Sequence, residues 1–489
     1  MARVIMIGLD AASLDFIAAS RGALPNLARL LDAGVAYRLK SAGGDLFPAS
    51  VWPSFYTATH PGEHGVYYPL QWDETTMSLR PLSDLLYCEP FWYDLERRGY
   101  RVTAVDVPVT WRSRLQRGVE ITDWAPHEPM QGFSVQPPGL EREIRREFGA
   151  ARFGPEIPVR KTKRQLATLR DEVIASAGRK GALIEWLARR ADWDFLIAVF
   201  SETHRGGHLF WPQQQAGDAP IDLPEGALVD CYRAVDRALG NIIDVSLDGR
   251  TMLVLFSVHG MGPNRSQEHF TRHIMERVND RFAAESGRSA PPRRPRSLMR
   301  VLRERLPARI QHAIGRAVPL SWKDGVVNRA ITGGYDWAET PGLAILGSVT
   351  GYVRLNLRGR ETAGMLEPGS DAHARYMRAI CEAFAGCRIA DTGEPLISAT
   401  SLTPETFAGA RSHFLPDLVV SWGDRAPVAR IDSDVFGPIT VHPPTGRSGN
   451  HRAEAFALVV GAESGRGHRT PRDIVDLAPM VRDWLAQAS

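Results

Sequence analysis

The chain has 489 residues, 44% of them apolar and 24% charged, with a net charge of +3. That size suits one large α/β domain with insertions, or two to three domains, and the balance carries no global bias toward a nucleic-acid or membrane partner. No run approaches the roughly 18–20 uninterrupted apolar residues of a membrane helix, and four cysteines without C-x-x-C spacing exclude a disulfide framework and a thiolate metal site.

Arg3 leads directly into an apolar run over residues 4–9 that ends on Asp10. No hydrophobic leader precedes it, so the expected location is the cytoplasm. An amphipathic helix is expected over 25–31, a buried helix over 50–59 stopped by Pro61-Gly62, and a helix over 91–98 feeding a strand over 101–107 that Pro108 breaks. Residues 126–165 are rich in proline and glycine and read as a loop-rich excursion from the core. Helical spacing over 165–190 leads to the apolar run 195–200, and helical spacing over 228–244 leads to the run 252–257. Apolar runs without polar alternation are strands buried on both faces. The rhythm of strand, helix and strand predicts an α/β fold with a doubly wound, mostly parallel central sheet flanked by helices.

Residues 265–345 interrupt that rhythm and read as an inserted helical cap or lid, leaving 1–264 and 346–489 as the core. Ala290-Pro291-Pro292 and Gly333-Gly334 punctuate the insertion, and between Arg288 and Arg316 it carries nine arginines against one acid, Glu304. This stretch is either a solvated face or a surface for an anionic partner; proline and the lack of interleaved aromatics disfavour nucleic acid. A strand over 351–356, a helix over 372–385, strands over 418–421 and 456–460 and a helix over 473–487 complete the chain.

Ligands bind beyond the carboxyl ends of strands in such sheets. Asp10 ends the first strand; Glu202, His204 and His208 follow the run 195–200; His259 follows the run 252–257; His451 precedes the last strand. Imidazole plus carboxylate is a transition-metal donor set, and His204 and His208, four residues apart, share a face on a helical turn. Ser50 opens a helix, where backbone N–H groups favour an anionic oxygen, so it is the candidate nucleophile and a candidate metal ligand; the competing role is a plain helix cap. Arg205, Arg447 and Arg452 are candidates to hold anionic oxygens of a substrate.

In chain order, Gly8-Leu9-Asp10, Trp52-Pro53-Ser54-Phe55 leading to His60-Pro61-Gly62-Glu63-His64-Gly65, and the motifs at 202–208, 257–262 and 449–452 resemble the alkaline phosphatase superfamily. The branch they resemble is that of type I phosphodiesterases and nucleotide pyrophosphatases. The resemblance implies an alkaline phosphatase-like core, a small-molecule phosphoester substrate, and two divalent metal ions, zinc or manganese, bridged by a phosphoryl group. It also implies a Ser or Thr nucleophile that forms a phospho-enzyme. It assigns Asp10 and His259 to one metal, His208 and His451 to the other, and the nucleophile to Ser50.

The chain departs from that pattern at three places. His204 and Val258 stand where the family has Asp, and the family's hydroxyl falls on Pro48 rather than Ser50. One metal site thereby loses a ligand, and the other exchanges a carboxylate for an imidazole unless Glu202 joins it. The implied function is a metal-dependent phosphoester hydrolase of the phosphodiesterase or nucleotide pyrophosphatase type. Two alternatives stand beside it: a phosphoryl or sulfuryl transferase or hydrolase of a biosynthetic pathway, and a metal-poor binding protein that kept the fold. The sulfatase form of the first lacks the Cys-x-Pro-x-Arg pattern; Val258 supports the second. An oligomer is neither required nor excluded by the pattern.

Overall fold

Eight strands form the central sheet, in the order Val35–Leu39, Ala455–Val460, Thr251–Ser257, Arg3–Leu9, Phe195–Phe200, Val102–Val105, Val119–Thr122 and Ser134–Gln136. The five from Thr251–Ser257 to Val119–Thr122 are parallel. The two strands on one side and the single strand at the other edge pair antiparallel. This is the doubly wound, mostly parallel sheet expected from the unalternated apolar runs. The computed structural model describes residues 3–127, 129–149, 161–190, 192–212, 223–248, 250–287, 328, 332, 335–444, 446–461 and 469–487.

Successive strand residues point to opposite faces, so the sheet splits the core in two. Ile5, Ile7 and Leu9 pack with Leu183, Ile184, Val235 and Leu239 of helices Lys163–Arg190 and Ala227–Ser246. Val4 and Met6 pack on the other face with Trp52, Phe55, Phe91 and Val481 of helices Val51–Thr57, Phe91–Arg97 and Leu477–Gln487. Both faces are therefore dry, which is why these strands lack alternation.

Three segments differ from the sequence reading. The helix expected over 50–59 is a 3-10 turn, Pro48–Ser50, running into Val51–Thr57 and closed by Ala58 in a left-handed conformation. The excursion 126–165 contributes the edge strand Ser134–Gln136 and the helix Leu140–Phe148, while its residues 150–160 lie outside the described residues.

The third difference is a second layer. Helix Thr271–Glu285, from the segment read as a cap, buries Ile274, Met275, Val278 and Phe282 against helix Asp371–Ala385 and an antiparallel sheet. That sheet runs Gly342–Ile345, Gly351–Leu355, Leu418–Trp422, Ile397–Leu402, so residues 351–355 and 418–422, read with the core, pair with each other rather than with the central sheet. A short apolar run identifies a strand but not the sheet it joins. The arginine-rich run 288–316 and the turn at Gly333-Gly334 lie outside the described residues. Among the described residues, no helix is long and apolar enough to cross a membrane.

Candidate metal centre

Asp10 leaves the carboxyl end of its strand with its backbone N–H on the Phe200 carbonyl (3.0 Å). The neighbouring strand Phe195–Phe200 passes through Ser201 into helix Glu202–Phe210, which carries His204 and His208 one turn apart. His259 sits just beyond strand Thr251–Ser257, between it and strand Gly260–Pro263. Strand Gly260–Pro263 pairs antiparallel with Gly449–Arg452, setting Met261 opposite His451. The chain order of strands thus delivers residues from four distant segments to one edge.

The approach of the last pair to the helix is close. A Cβ on Gly449 would run into the Gly207 carbonyl oxygen. Ser448 N–H donates to the His208 carbonyl (2.9 Å) and His208 Nδ1–H donates to the Gly449 carbonyl (2.9 Å). Glycine at 207 and 449 is what lets His451 reach the helix.

Three imidazole nitrogens converge. His204 Nε2 is 3.0 Å from His208 Nε2, which is 3.1 Å from His451 Nε2, which is 2.9 Å from His204 Nε2. The protons cannot close this triangle. A carboxylate only accepts hydrogen bonds, so the 2.6 Å contact between His204 Nδ1 and Asp10 Oδ2 places the His204 proton on Nδ1. The carbonyl of Gly449 does the same for His208. With the Nδ1 protons committed in this way, both rings turn Nε2 toward each other and toward His451. A common point about 2.0–2.1 Å from all three nitrogens exists, which is the length of a Zn–N bond.

Electrostatics favours neutral rings at His208, His451 and His259. Burial holds His208 and His451 well below the usual histidine range, with Arg447 and neighbouring histidines adding to it. Burial likewise takes His259 down to about 4, against the pull of Asp10. Burial pushes Asp10 up, but the electrostatic pull of the neighbouring His204 and His259 and the hydrogen bonds from His204 and Trp52 outweigh it, and the carboxyl ends below its ordinary value. A carboxylate hydrogen-bonded behind an imidazole is the usual support of a histidine metal ligand.

The other expected site residues divide. His259 joins the cluster: its ligand atom lies within 4.8 Å of those of His204 and His451, and among the described residues neither of its buried ring nitrogens has a hydrogen-bond partner. Glu202 does not join it. Its Oε1 accepts from Ser176 Oγ (2.6 Å) and its Oε2 lies 3.6 Å from the buried Lys180 Nζ. Ser50 is fully buried, and its hydroxyl donates to the Phe47 carbonyl (2.7 Å), as expected of a residue closing a 3-10 turn. Arg205 is buried on the helix face turned from His204 by one residue. Arg452 donates to the carbonyls of His451 (3.0 Å) and Pro263, so it braces the strand pair. Val258 packs in the apolar cluster of Trp52 and Phe256.

Two residues of the centre escaped the sequence reading. Trp52 donates its indole N–H to Asp10 Oδ1 (3.0 Å). His127 stacks on His204 with ring centroids 3.8 Å apart, and its ligand atom groups with those of His204 and His208. It lies a few residues beyond strand Val119–Thr122, whose alternating Val-Glu-Ile-Thr gave no strand signal, inside a segment read as loop.

A family model, type I phosphodiesterase / nucleotide pyrophosphatase, matches residues 4–316, more than half of the chain. No curated protein matches it by sequence. Among solved structures, phosphonoacetate hydrolase from Sinorhizobium meliloti 1021 in complex with phosphonoacetate is similar with a TM-score of 0.53 at 14% identity, over 99% of this chain and 96% of that one. Murine ectonucleotide pyrophosphatase / phosphodiesterase 5, an inactive form in complex with AMP, is similar with a TM-score of 0.51 at 13% identity, over 99% and 95%. These likenesses show the fold.

Proposed function

Because the chain belongs to the type I phosphodiesterase / nucleotide pyrophosphatase family, a family of phosphoester hydrolases, we propose that it is a metal-dependent hydrolase of a small phosphodiester or pyrophosphate. The observation that carries the proposal is the convergence of the His204, His208 and His451 Nε2 atoms at 2.9 to 3.1 Å. These three residues would hold a divalent cation, zinc or manganese, which when bound polarises a phosphoryl oxygen. That two structural neighbours hold phosphonoacetate and AMP supports a small anionic substrate.

The chain's own residues have separable tasks. Asp10 fixes the His204 ring through Nδ1, and Trp52 fixes Asp10. Gly449 fixes His208 through its carbonyl. Arg447, whose charge is felt at both His208 and His451, is the proposed partner of a non-bridging phosphoryl oxygen. Arg205 and Arg452 act in this proposal by holding the scaffold. Ser50 is the proposed attacking hydroxyl. It lies two residues before Trp52 on the same turn, and attack requires it to release the Phe47 carbonyl.

The test is hydrolysis of bis-p-nitrophenyl phosphate by protein stripped of metal and reloaded with zinc or manganese. Turnover should vanish on stripping, return on reloading, and stay absent in His208→Ala. Ser50→Ala should lower kcat by at least about 100-fold with cation binding intact, as expected for loss of a nucleophile; unchanged kcat removes Ser50 from the mechanism. Tight cation binding with no turnover on any phosphoester would favour the binding-protein alternative, to which Val258 lends its support.

A further inference from the structure

The two cations implied by the resemblance are more than these residues fit. We infer that the chain holds a single divalent cation, on the imidazoles of His204, His208 and His451, and that Asp10 positions His204 rather than ligating a second ion.

The donors divide that way. His204 and His208 both present bare Nε2 atoms because their Nδ1 protons are committed to Asp10 Oδ2 and the Gly449 carbonyl. Among the described residues His451 Nδ1 has no hydrogen-bond partner, so nothing there opposes the same tautomer. Three imidazoles with an open fourth position are a complete protein ligand set for zinc. At the place of the second ion, Asp10 and His259 are what remains among the described residues, with 3.8 Å between Asp10 Oδ1 and His259 Nε2; the further imidazole of the centre, His127, groups with His204 and His208 around the first ion. Both Asp10 oxygens already accept hydrogen bonds, from His204 and from Trp52.

The residue that would complete a second site is Val258, whose side chain lies in an apolar cluster and whose carbonyl accepts from Ser41 Oγ (2.5 Å). Ser50 is engaged with Phe47. Two protein ligands fall short of the three or four that hold zinc. Charge argues the same way. Two dications would face one buried carboxylate, Asp10, since Glu202 is committed to Ser176 and Lys180, and uncompensated buried charge is costly. His259 is left as a buried imidazole beside the cation rather than beneath it.

This inference rests on the metal reading proposed above, so its test uses Zn²⁺ alone and no substrate. Metal-stripped full-length protein is titrated with Zn²⁺ by calorimetry, and the loaded protein is analysed for metal content, with circular dichroism confirming that each variant is folded. The wild type should bind one zinc per chain, His208→Ala none, and His259→Ala still one. Asp10→Asn should still bind one, with affinity lowered roughly 10–100-fold, the effect of removing a carboxylate behind a ligating histidine. Two zinc ions per wild-type chain would overturn the inference, as would loss of one of two ions in His259→Ala or Asp10→Asn. One zinc without phosphoester turnover removes the hydrolase proposal and leaves this inference standing; two with turnover does the reverse.

Discussion

Replacing Lys180 by Met should damage both the fold and the metal centre. Lys180 is fully buried on helix Lys163–Arg190. Its three ammonium hydrogens have three acceptors: Asp106 Oδ2 at 2.9 Å, the Ala125 carbonyl at 3.0 Å and the Val199 carbonyl at 3.1 Å. Burial alone would lower its pKa, but Asp106 and Glu202 more than reverse that and keep it charged. Burial raises Glu202, with Lys180 the main opposing influence. Methionine fills the same volume but strands two buried carboxylates. Removing one partner of a buried ion pair costs about 3–5 kcal/mol.

The damage should reach the centre because Glu202 opens the helix of His204 and His208. Asp106 also accepts from the backbone of Trp124 and Ala125 (both 2.8 Å), just before His127. Urea unfolding should show the loss, and zinc titration should show weaker binding. Adding Glu202→Gln to Lys180→Met should recover part of the stability, since it removes one stranded charge. A loss below about 1 kcal/mol, in the range of an exposed ion pair, with unchanged zinc affinity, would refute the reasoning.

Gly449→Ala should push the strand carrying His451 away from helix Glu202–Phe210, because its Cβ meets the Gly207 carbonyl; zinc affinity should fall together with a stability loss of roughly 1–3 kcal/mol from the overpacked contact, and unchanged affinity would contradict the close approach. His64 should make stability pH-dependent. Its Nδ1 accepts from Val66 N–H (3.1 Å) and its Nε2 meets Ser54 Oγ (2.9 Å), and burial lowers its pKa from 6.5 to about 3. The neutral form is therefore the folded form: stability is full above pH 6.5 and falls by about 1.4 kcal/mol per pH unit as pH drops from there toward 3. His64→Gln should flatten that slope by one proton in unfolding measured between pH 6.5 and 4.5; an unchanged slope would remove His64 as its source.

Five strands of the central sheet were legible because strands buried on both faces have no alternation to hide them, and runs such as 195–200 and 252–257 end on histidine-bearing motifs; the mixed polar and apolar strands Val35–Leu39, Val119–Thr122 and Ser134–Gln136 were not. His204 and His208 were legible as a pair because a four-residue spacing survives the move from sequence to helix. Side-chain direction was not legible. Glu202 stands two residues before His204, yet a helix turns about 100° per residue, and it faces Lys180 instead. Lys180 and Asp106 read as ordinary helix and strand-end residues; only the fold brings them together, 74 positions apart. Trp52 entered only as part of the Trp52-Pro53-Ser54-Phe55 motif, and nothing in its spacing points its N–H at Asp10. The antiparallel layer of residues 342–422 was hidden because its apolar runs look like those of the central sheet.

Zinc anomalous scattering from a crystal of the loaded protein tests the account most directly. One peak per chain is expected, about 2 Å from the Nε2 atoms of His204, His208 and His451, with Asp10 still hydrogen-bonded to His204. A peak bound by Asp10 and His259, or no peak at the three imidazoles, would contradict it.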